Sequence, residues 1–432
     1  MSAGAGRRLA ADFTPLRASR DFRLLFLGQA GSLAGSQLTL VGVPLQAYLM
    51  TRSSLVVGLI GLVELGPLLV GSLLGGSAAD AVDRRRLLLG AQVGMAAVSV
   101  GLGVNASLSH PSLGLLMVLA GLGAGLGGVD ITIRRAVVPA LVPRELIPAT
   151  AALNAIMVRS AQVVGPALAG LLIAGVSLEA AYWVDAATFG FAIVAVLAMR
   201  PIPPADGGTP MGLRSLREGI AFLRGQPVVS GAFLVDLNAM VFGMPRALFP
   251  ALGTGVFGGT TSVGLLYAAP AAGAFLAALT SGWVGRVRRQ GRAVVASIAV
   301  WGAAIAAFGL VPWLPAALVL LAIAGAADIV SEIFRSTIVQ LVVPDRLRGR
   351  LSALFVAQVT GSPRLGDFEA GAVASAATPQ VSVVTGGLAC LAGLAAIVWW
   401  KPALARFRTD EPAGLPPGRP GAPGSATRSR PG

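Results

Sequence analysis

Charge is what this sequence has least of. Only 12% of its residues are Asp, Glu, Lys or Arg, against 55% apolar residues and a mean hydropathy of +0.78. A soluble domain carries about a quarter charged residues, so 432 residues of this composition do not read as two or three soluble domains. Cysteine occurs once, as Cys390 inside an apolar run, which excludes a disulfide framework and a cysteine-based zinc site. Histidine also occurs once, as His110 in a short polar stretch, so no histidine cluster can hold a metal. Acids are outnumbered by bases and the net charge is +14, a value that in a soluble protein points to nucleic acid. Here the arginines sit in short groups between apolar runs and form no single patch, so no nucleic-acid partner is expected. No GxxxxGK followed by Ser or Thr is present, which argues against an ATP-driven pump. No His pair, Cys pair or hydrolase-type Ser motif points to an enzyme, and no cofactor is expected.

What the sequence has in quantity is apolar runs long enough to cross a bilayer, which needs about 20 helical residues per crossing. They fall at about 22–49, 54–79, 87–107, 112–136, 148–175 and 180–199 in the first half. In the second half they fall at about 228–252, 261–285, 293–312, 315–341, 351–376 and 380–400. All are read as helices, because an open sheet leaves backbone groups unpaired in lipid. Glycines at small-xxx-small spacing, such as Gly71 and Gly75 or Gly121 and Gly125, let neighbouring helices approach closely.

Arginine placement gives the orientation. Arg7, Arg8, Arg17, Arg20 and Arg23 lie before or at the start of the first run, Arg84, Arg85 and Arg86 follow the second, and Arg134, Arg135 and Arg144 lie at or after the end of the fourth. Alternate loops continue the pattern, while the intervening ones hold almost nothing basic beyond Arg52. The positive-inside rule then places both termini in the cytoplasm with an even number of spans. No cleaved secretory signal is expected, since the first apolar run is span-length. The expected organisation is a cytoplasmic arm over 1–21, a six-helix bundle over 22–200 and a linker over 201–227. A second six-helix bundle follows over 228–402, and a disordered Pro/Gly/Arg-rich tail over 403–432. In the linker Leu213, Leu216, Ile220 and Leu223 share one helical face, the pattern of an interfacial connector.

The halves repeat each other. IRRAVVPALVPRELIPATAAL, from Ile133, and FRSTIVQLVVPDRLRGRLSAL, from Phe334, align without gaps, so that Arg134 matches Arg335 and Pro143 matches Pro344. Two parallel six-span halves are the pattern of many secondary transporters. One charged cluster interrupts the apolar chain between the second and third runs: GGSAADAVDRRRLLLG, from Gly75. Its spacing resembles the loop between the second and third helices of the major facilitator superfamily. AQVVGPALAGLL, from Ala161, is similar to the GPxxGG element of that superfamily's antiport branch, with Gly165, Pro166 and Gly170 matching. An ordinary kinked helix is the plainer reading of the same residues. FRLLFLGQAGSLAGSQLTLVGVPLQAYLM near the start, YWVDAATF from Tyr182 and GSPRLGDFEAG from Gly361 resemble the group of macrolide-efflux and enterobactin-type siderophore exporters, which are drug:proton antiporters.

The resemblance implies an all-α fold of about twelve transmembrane helices in two bundles, monomeric, in a bacterial inner membrane. It implies proton-coupled efflux of amphipathic small molecules by alternating access. A nutrient or metabolite importer of the same fold, sodium in place of the proton, and a non-transporting membrane scaffold or intramembrane enzyme are the alternatives. It also implies that Asp80, with Asp83 and Arg84, latches the cytoplasmic side against the start of helix eleven. Ala81 departs from the family's arginine at that place, and Arg85 and Arg86 also read as plain positive-inside residues. Asp130–Arg134 and Glu332–Arg335, each pair spaced by about one helical turn, read as static salt bridges or as further gate contacts.

Ionisable groups inside spans are costly and therefore candidate functional sites. Glu64, Arg159, Asp185, Asp236, Arg246, Asp328, Arg364, Asp367 and Glu369 all fall within runs. A coupling acid has to exchange its proton near neutral pH. Glu64, mid-span with no charged neighbour in sequence, fits first, then Asp236, then Asp367, which has Arg364 one turn away; a structural hydrogen bond is the alternative for each. Gln37, Gln46, Tyr48, Asn154, Arg159, Asn238, Phe242 and Arg364 are the expected anchors of an otherwise apolar substrate cavity. A GxGxxG match at Gly123–Gly128 lies inside an apolar run with no preceding strand and implies no dinucleotide fold.

Overall fold

The computed structural model describes residues 12–203, 221–223 and 225–409. The connector helix expected in the linker, with Leu213, Leu216 and Ile220, lies outside the described residues, as do the first eleven residues and the last part of the expected tail.

Twelve long helices run through the described chain. In the first half they are α1 (Arg20–Thr51), α2 (Ser54–Ala81), α3 (Arg84–Ser107), α4 (Leu113–Leu141), α5 (Ile147–Gly175) and α6 (Leu178–Leu197). In the second half they are α7 (Pro227–Phe242), α8 (Thr260–Leu279), α9 (Gln290–Phe308), α10 (Leu314–Val342), α11 (Asp345–Ala376) and α12 (Pro379–Trp400). Eleven are long and apolar enough to cross a membrane, counting α7 with its continuation to Gly255. The exception is α11, the least apolar of the twelve, which carries Arg364, Asp367 and Glu369.

Local chemistry fixes where these helices begin. Ser19, Ser53, Asp83, Ser112, Ser177 and Thr378 each accept a backbone N–H from the first turn of the helix that follows, satisfying donors that have no intrahelical partner. Pro148, Pro227, Pro315 and Pro379 sit in first turns, where a missing N–H costs nothing. Beyond the caps the outward faces are apolar, with Val70, Leu73, Leu74, Leu168, Leu171 and Leu276 all exposed, as a lipid-facing surface requires.

The helices form two bundles. In the first, α1 and α3 pack on α6, α2 and α3 on α4, and α5 on α1. In the second, α8 and α9 pack on α10, α12 on α9, and α7 on α11 and α12. The bundles meet along two crossings, α2 with α11 and α5 with α8. Both lie in the halves of those helices distant from the chain ends. At one, Gly58 faces the backbone of Asp367 and Phe368, and Gly61 that of Arg364. At the other, a methyl placed on Gly170 would stand 3.0 Å from the Cα of Gly264. Only glycine permits backbones to come so close.

Two expectations are corrected. The seventh span is not one continuous helix: α7 stops at Phe242, a 3-10 turn follows at Arg246–Leu248, and a short helix resumes over Phe249–Gly255. Pro245 lacks an N–H to continue the ladder and disfavours helix in the residue before it. Nor does the unpacked tail begin at residue 403. A short helix, Pro402–Arg406, folds back so that Leu404 is fully buried between α7 and α9. Gly291 N–H then donates to Phe407 O at 3.3 Å and Thr409 N–H to Arg288 O at 3.0 Å.

Candidate functional site

Between the bundles, toward the crossings, lies a cavity of about 400 Å³. Its wall is mostly apolar, but it gathers three carboxylates, Glu64, Asp185 and Asp367, and two guanidiniums, Arg246 and Arg364. Each comes from a different element except Arg364 and Asp367, which share α11. The break in α7 is what turns Arg246 and Ala247 toward the cavity.

Glu64 on α2 meets Arg364 on α11 at 3.3 Å, an ion pair that bridges the bundles. The glycine contacts beside it bring the two helices within reach. The sequence argument for Glu64 rested on its lacking a charged neighbour, and the fold supplies one. Asp367 Oδ1 accepts the N–H of Ala247 at 3.1 Å, and Tyr267 donates its hydroxyl to the carbonyl of Arg246 at 3.1 Å. Arg364 also donates to Thr360 O at 2.8 Å. Asp185, fully buried on α6, accepts hydrogen bonds on Oδ2 from the hydroxyls of Thr39 of α1 at 2.6 Å and Ser99 of α3 at 2.8 Å.

Of the expected substrate anchors, Arg364 alone lines this cavity. Gln37 is buried under Gly165, Gln46 accepts from Tyr182 at 2.8 Å inside the first bundle, and Asn238 donates to Cys390 O at 2.8 Å inside the second. Tyr48 lies at the far end of α1 with Arg52 over its ring. Phe242 ends α7, where its carbonyl meets Gly386. Asn154 is exposed and accepts from Gln29 at 3.3 Å, and Arg159 reaches across the bundles to Glu332 at 3.7 Å.

That last contact corrects the pairing expected of Glu332. Arg335 instead pairs with Asp236 of α7, with Asp328 at 3.9 Å as a second neighbour, and Gln358 of α11 donates to the other Asp236 oxygen at 2.8 Å. In the first half Arg134 meets Asp130 at 2.7 Å, and Gln92 of α3 donates to the second oxygen.

At the face bearing the chain ends, Asp83 caps α3 and accepts the N–H of Ile202 at 3.0 Å. Arg84 donates to Ala79 O and Ala136 O, and Arg85 to Val196 O at 3.0 Å. These residues staple α2, α3, α4 and α6 together within one bundle. Asp80 is exposed and has no hydrogen bond or ion pair among the described residues. Pro166 and Gly170 lie on the α5–α8 crossing, where the Pro166 carbonyl faces Gly264, whereas Gly165 packs on Gln37 of α1 within the first bundle.

Sequence reasoning left Arg246, Thr39, Ser99 and Tyr267 without a role. Asp185 was legible as an intramembrane acid; the added signal was the absence of any basic residue within a turn of it.

Comparison with known proteins agrees with this architecture. The family model described as transmembrane secretion effector matches residues 10–412. The enterobactin exporter EntS of Shigella boydii serotype 4 (strain Sb227) is 31% identical over 92% of this chain and 95% of its own length. EntS of Escherichia coli O139:H28 (strain E24377A / ETEC) is equally similar, at 31% over the same shares. Among solved structures, a mutant form of the nucleoside transporter NupG superposes with a TM-score of 0.72 at 13% identity, covering 88% of this chain and 99% of that one. A bacterial homologue of the human lysosomal transporter Spinster, in an inward-facing and unoccupied conformation, gives 0.66 at 16% identity, covering 89% and 96%. The twelve-helix, two-bundle chain described above thus belongs to the transmembrane secretion effector family of major facilitator transporters.

Proposed function

We propose that this chain is a proton-coupled exporter of amphipathic small molecules, siderophores foremost, working by alternating access from a bacterial inner membrane as a monomer. Near full-length similarity to enterobactin exporters carries the reading. A cavity of about 400 Å³ with apolar walls and few charged anchors suits a drug-sized amphipathic molecule. Arg246 and Arg364 supply donors for the phenolic or carboxylate oxygens typical of iron chelators.

Arginine-rich loops on the face bearing the chain ends favour a cytoplasmic position for both termini. On that orientation the glycine crossings seal the outer side and the cavity awaits substrate from within. Asp80, unengaged here, then forms its latch when the inner side closes, with Asp83 and Arg84 fixing the loop that presents it. The Glu64–Arg364 bridge spans the bundles and is remade in each cycle.

The test uses inverted membrane vesicles holding the protein, an acid-inside gradient and a pH-sensitive dye, with siderophores, macrolides and cationic dyes added in turn. Dequenching on addition of one compound, absent from vesicles without the protein, is expected. Uptake only in the opposite direction would make the chain an importer, and a response requiring sodium would change the coupling ion. Asp80→Asn is expected to slow turnover by about tenfold or more while leaving substrate affinity nearly unchanged. Wild-type turnover in that variant removes the latch.

A further inference from the structure

Asp185 differs from the other fully buried acid in how its charge is met. Two acids are fully buried among the described residues, and the other, Asp236, meets Arg335. Asp185 meets only hydroxyls, Thr39 and Ser99, both on Oδ2. Its Oδ1 is buried with no hydrogen-bond partner. An ionised carboxylate in such a place is costly unless something neutralises it.

Among the described residues no cation pairs with it. On α1 the charges are at the ends, with Arg20, Asp21, Arg23 and Arg52, and on α3 they are Arg84, Arg85 and Arg86 in the first turn. On α5, Arg159 is engaged with Glu332. One turn before Asp185 on α6, Tyr182 points its hydroxyl away, to Gln46. Across the cavity Glu64 is bridged to Arg364, and Asp367 shares the wall with Arg246 and Arg364. The wall therefore holds three acids and two arginines, and the surplus negative charge falls to Asp185.

We propose that Asp185 carries the coupling proton, a role that rests on the proton-coupled reading above. The proton adds to Oδ1 from water reaching the cavity when it faces outward, and the wall becomes neutral. It leaves Oδ1 for water on the inner side when the cavity opens there, and the carboxylate is then held by the Thr39 and Ser99 hydroxyls. Those hydroxyls belong to α1 and α3, so loading or losing the proton acts on the packing of three helices. A proton suits the site better than sodium. A hard cation takes a shell of about six or more oxygens. Here a methyl on Gly35 would stand 2.6 Å from Oδ1, and the nearby Ser36 hydroxyl is turned to Ser32 O at 2.8 Å. The protein therefore offers few fixed oxygens for such a shell beyond Asp185, Thr39 and Ser99.

The experiment needs no substrate at first. Protein reconstituted in lipid is titrated with pH while the protonated-carboxyl stretch is followed by infrared difference spectroscopy. A titrating band is expected in wild type and its loss in Asp185→Asn, which is isosteric and keeps the packing. Thr39→Val and Ser99→Ala retain the acid and are expected to move the midpoint, which a residue that only packs would not do. A full titrating signal in Asp185→Asn overturns the proposal. So does a wild-type band that responds to sodium at fixed pH. With a compound found in the vesicle assay, Asp185→Asn should lower gradient-driven transport by about tenfold or more and spare gradient-free exchange. Unchanged driven transport overturns it as well. If no compound moves but the band behaves as expected, the exporter reading fails and the proton site stands.

Discussion

Arg134 and Arg335 hold matching places in the two halves, and each sits in a cluster of the same three side-chain types. In the first half the acid, Asp130, comes from the arginine's own helix one turn earlier, and Gln92 of the neighbouring α3 completes the carboxylate. In the second half the acid, Asp236, comes from α7, ninety-nine residues away, and Gln358 of α11 completes it. Arginine, aspartate and glutamine recur, but one set ties two helices and the other ties three. The duplicated halves have kept the position of the cation and the composition of the cluster while the acid has changed helices. What is held fixed is a neutralised guanidinium at this depth, and the source of the neutralising charge is free to move.

The largest expected effect tests whether the three-helix version is the stronger. Asp236→Ala strands a buried guanidinium, with Asp328 a poorer neighbour at 3.9 Å, and should cost about 3–5 kcal/mol. Asp130→Ala should cost less, about 1–3 kcal/mol, because its site is closer to water. Thermal unfolding of both variants in detergent measures the difference, and equal losses break the comparison.

A second experiment rebuilds the first-half arrangement in the second half. Ser331 matches Asp130 in the repeat, four residues before Arg335, and its buried hydroxyl has no partner among the described residues. Adding S331D to Asp236→Ala should recover about 1–2 kcal/mol by recreating the one-turn ion pair. No recovery in the same melt means that the interhelical position of the acid matters, beyond its charge.

The smallest effect concerns the pair that joins the halves. Arg159 and Glu332 remain 37% and 42% exposed at their side chains. Screened pairs of this kind contribute about 0–1 kcal/mol, so Glu332→Gln should leave the melting temperature almost unchanged. A large drop would place this contact with the buried networks.

The same comparison shows how far the sequence could be read. Apolar runs and arginine-rich loops located all twelve helices, because membrane crossing is a demand on composition and length. Arg335 was legible as a buried cation, and its partner was sought at Glu332, the nearest acid in sequence. Helical spacing says which residues share a face but not what the face meets, so an acid on α7 could not be found that way. The break in α7 at Gly243 and Pro245 carried a local signal, whereas its result, Arg246 turned into the cavity, depends on tertiary packing. The ion pair of Glu64 was out of reach for the same reason: its partner, Arg364, is three hundred residues distant.

The small helix that follows α12 has a bearing on how the protein is made. Leu404 closes a gap between α7 and α9 whose two sides are glycines, Gly231 and Gly291. Those helices enter the membrane long before residue 404 leaves the ribosome. The second bundle is therefore fastened by chain that follows its last span, so its closure comes after all of its helices have been made. A chain cut short just after Trp400 would be threaded correctly yet never fastened.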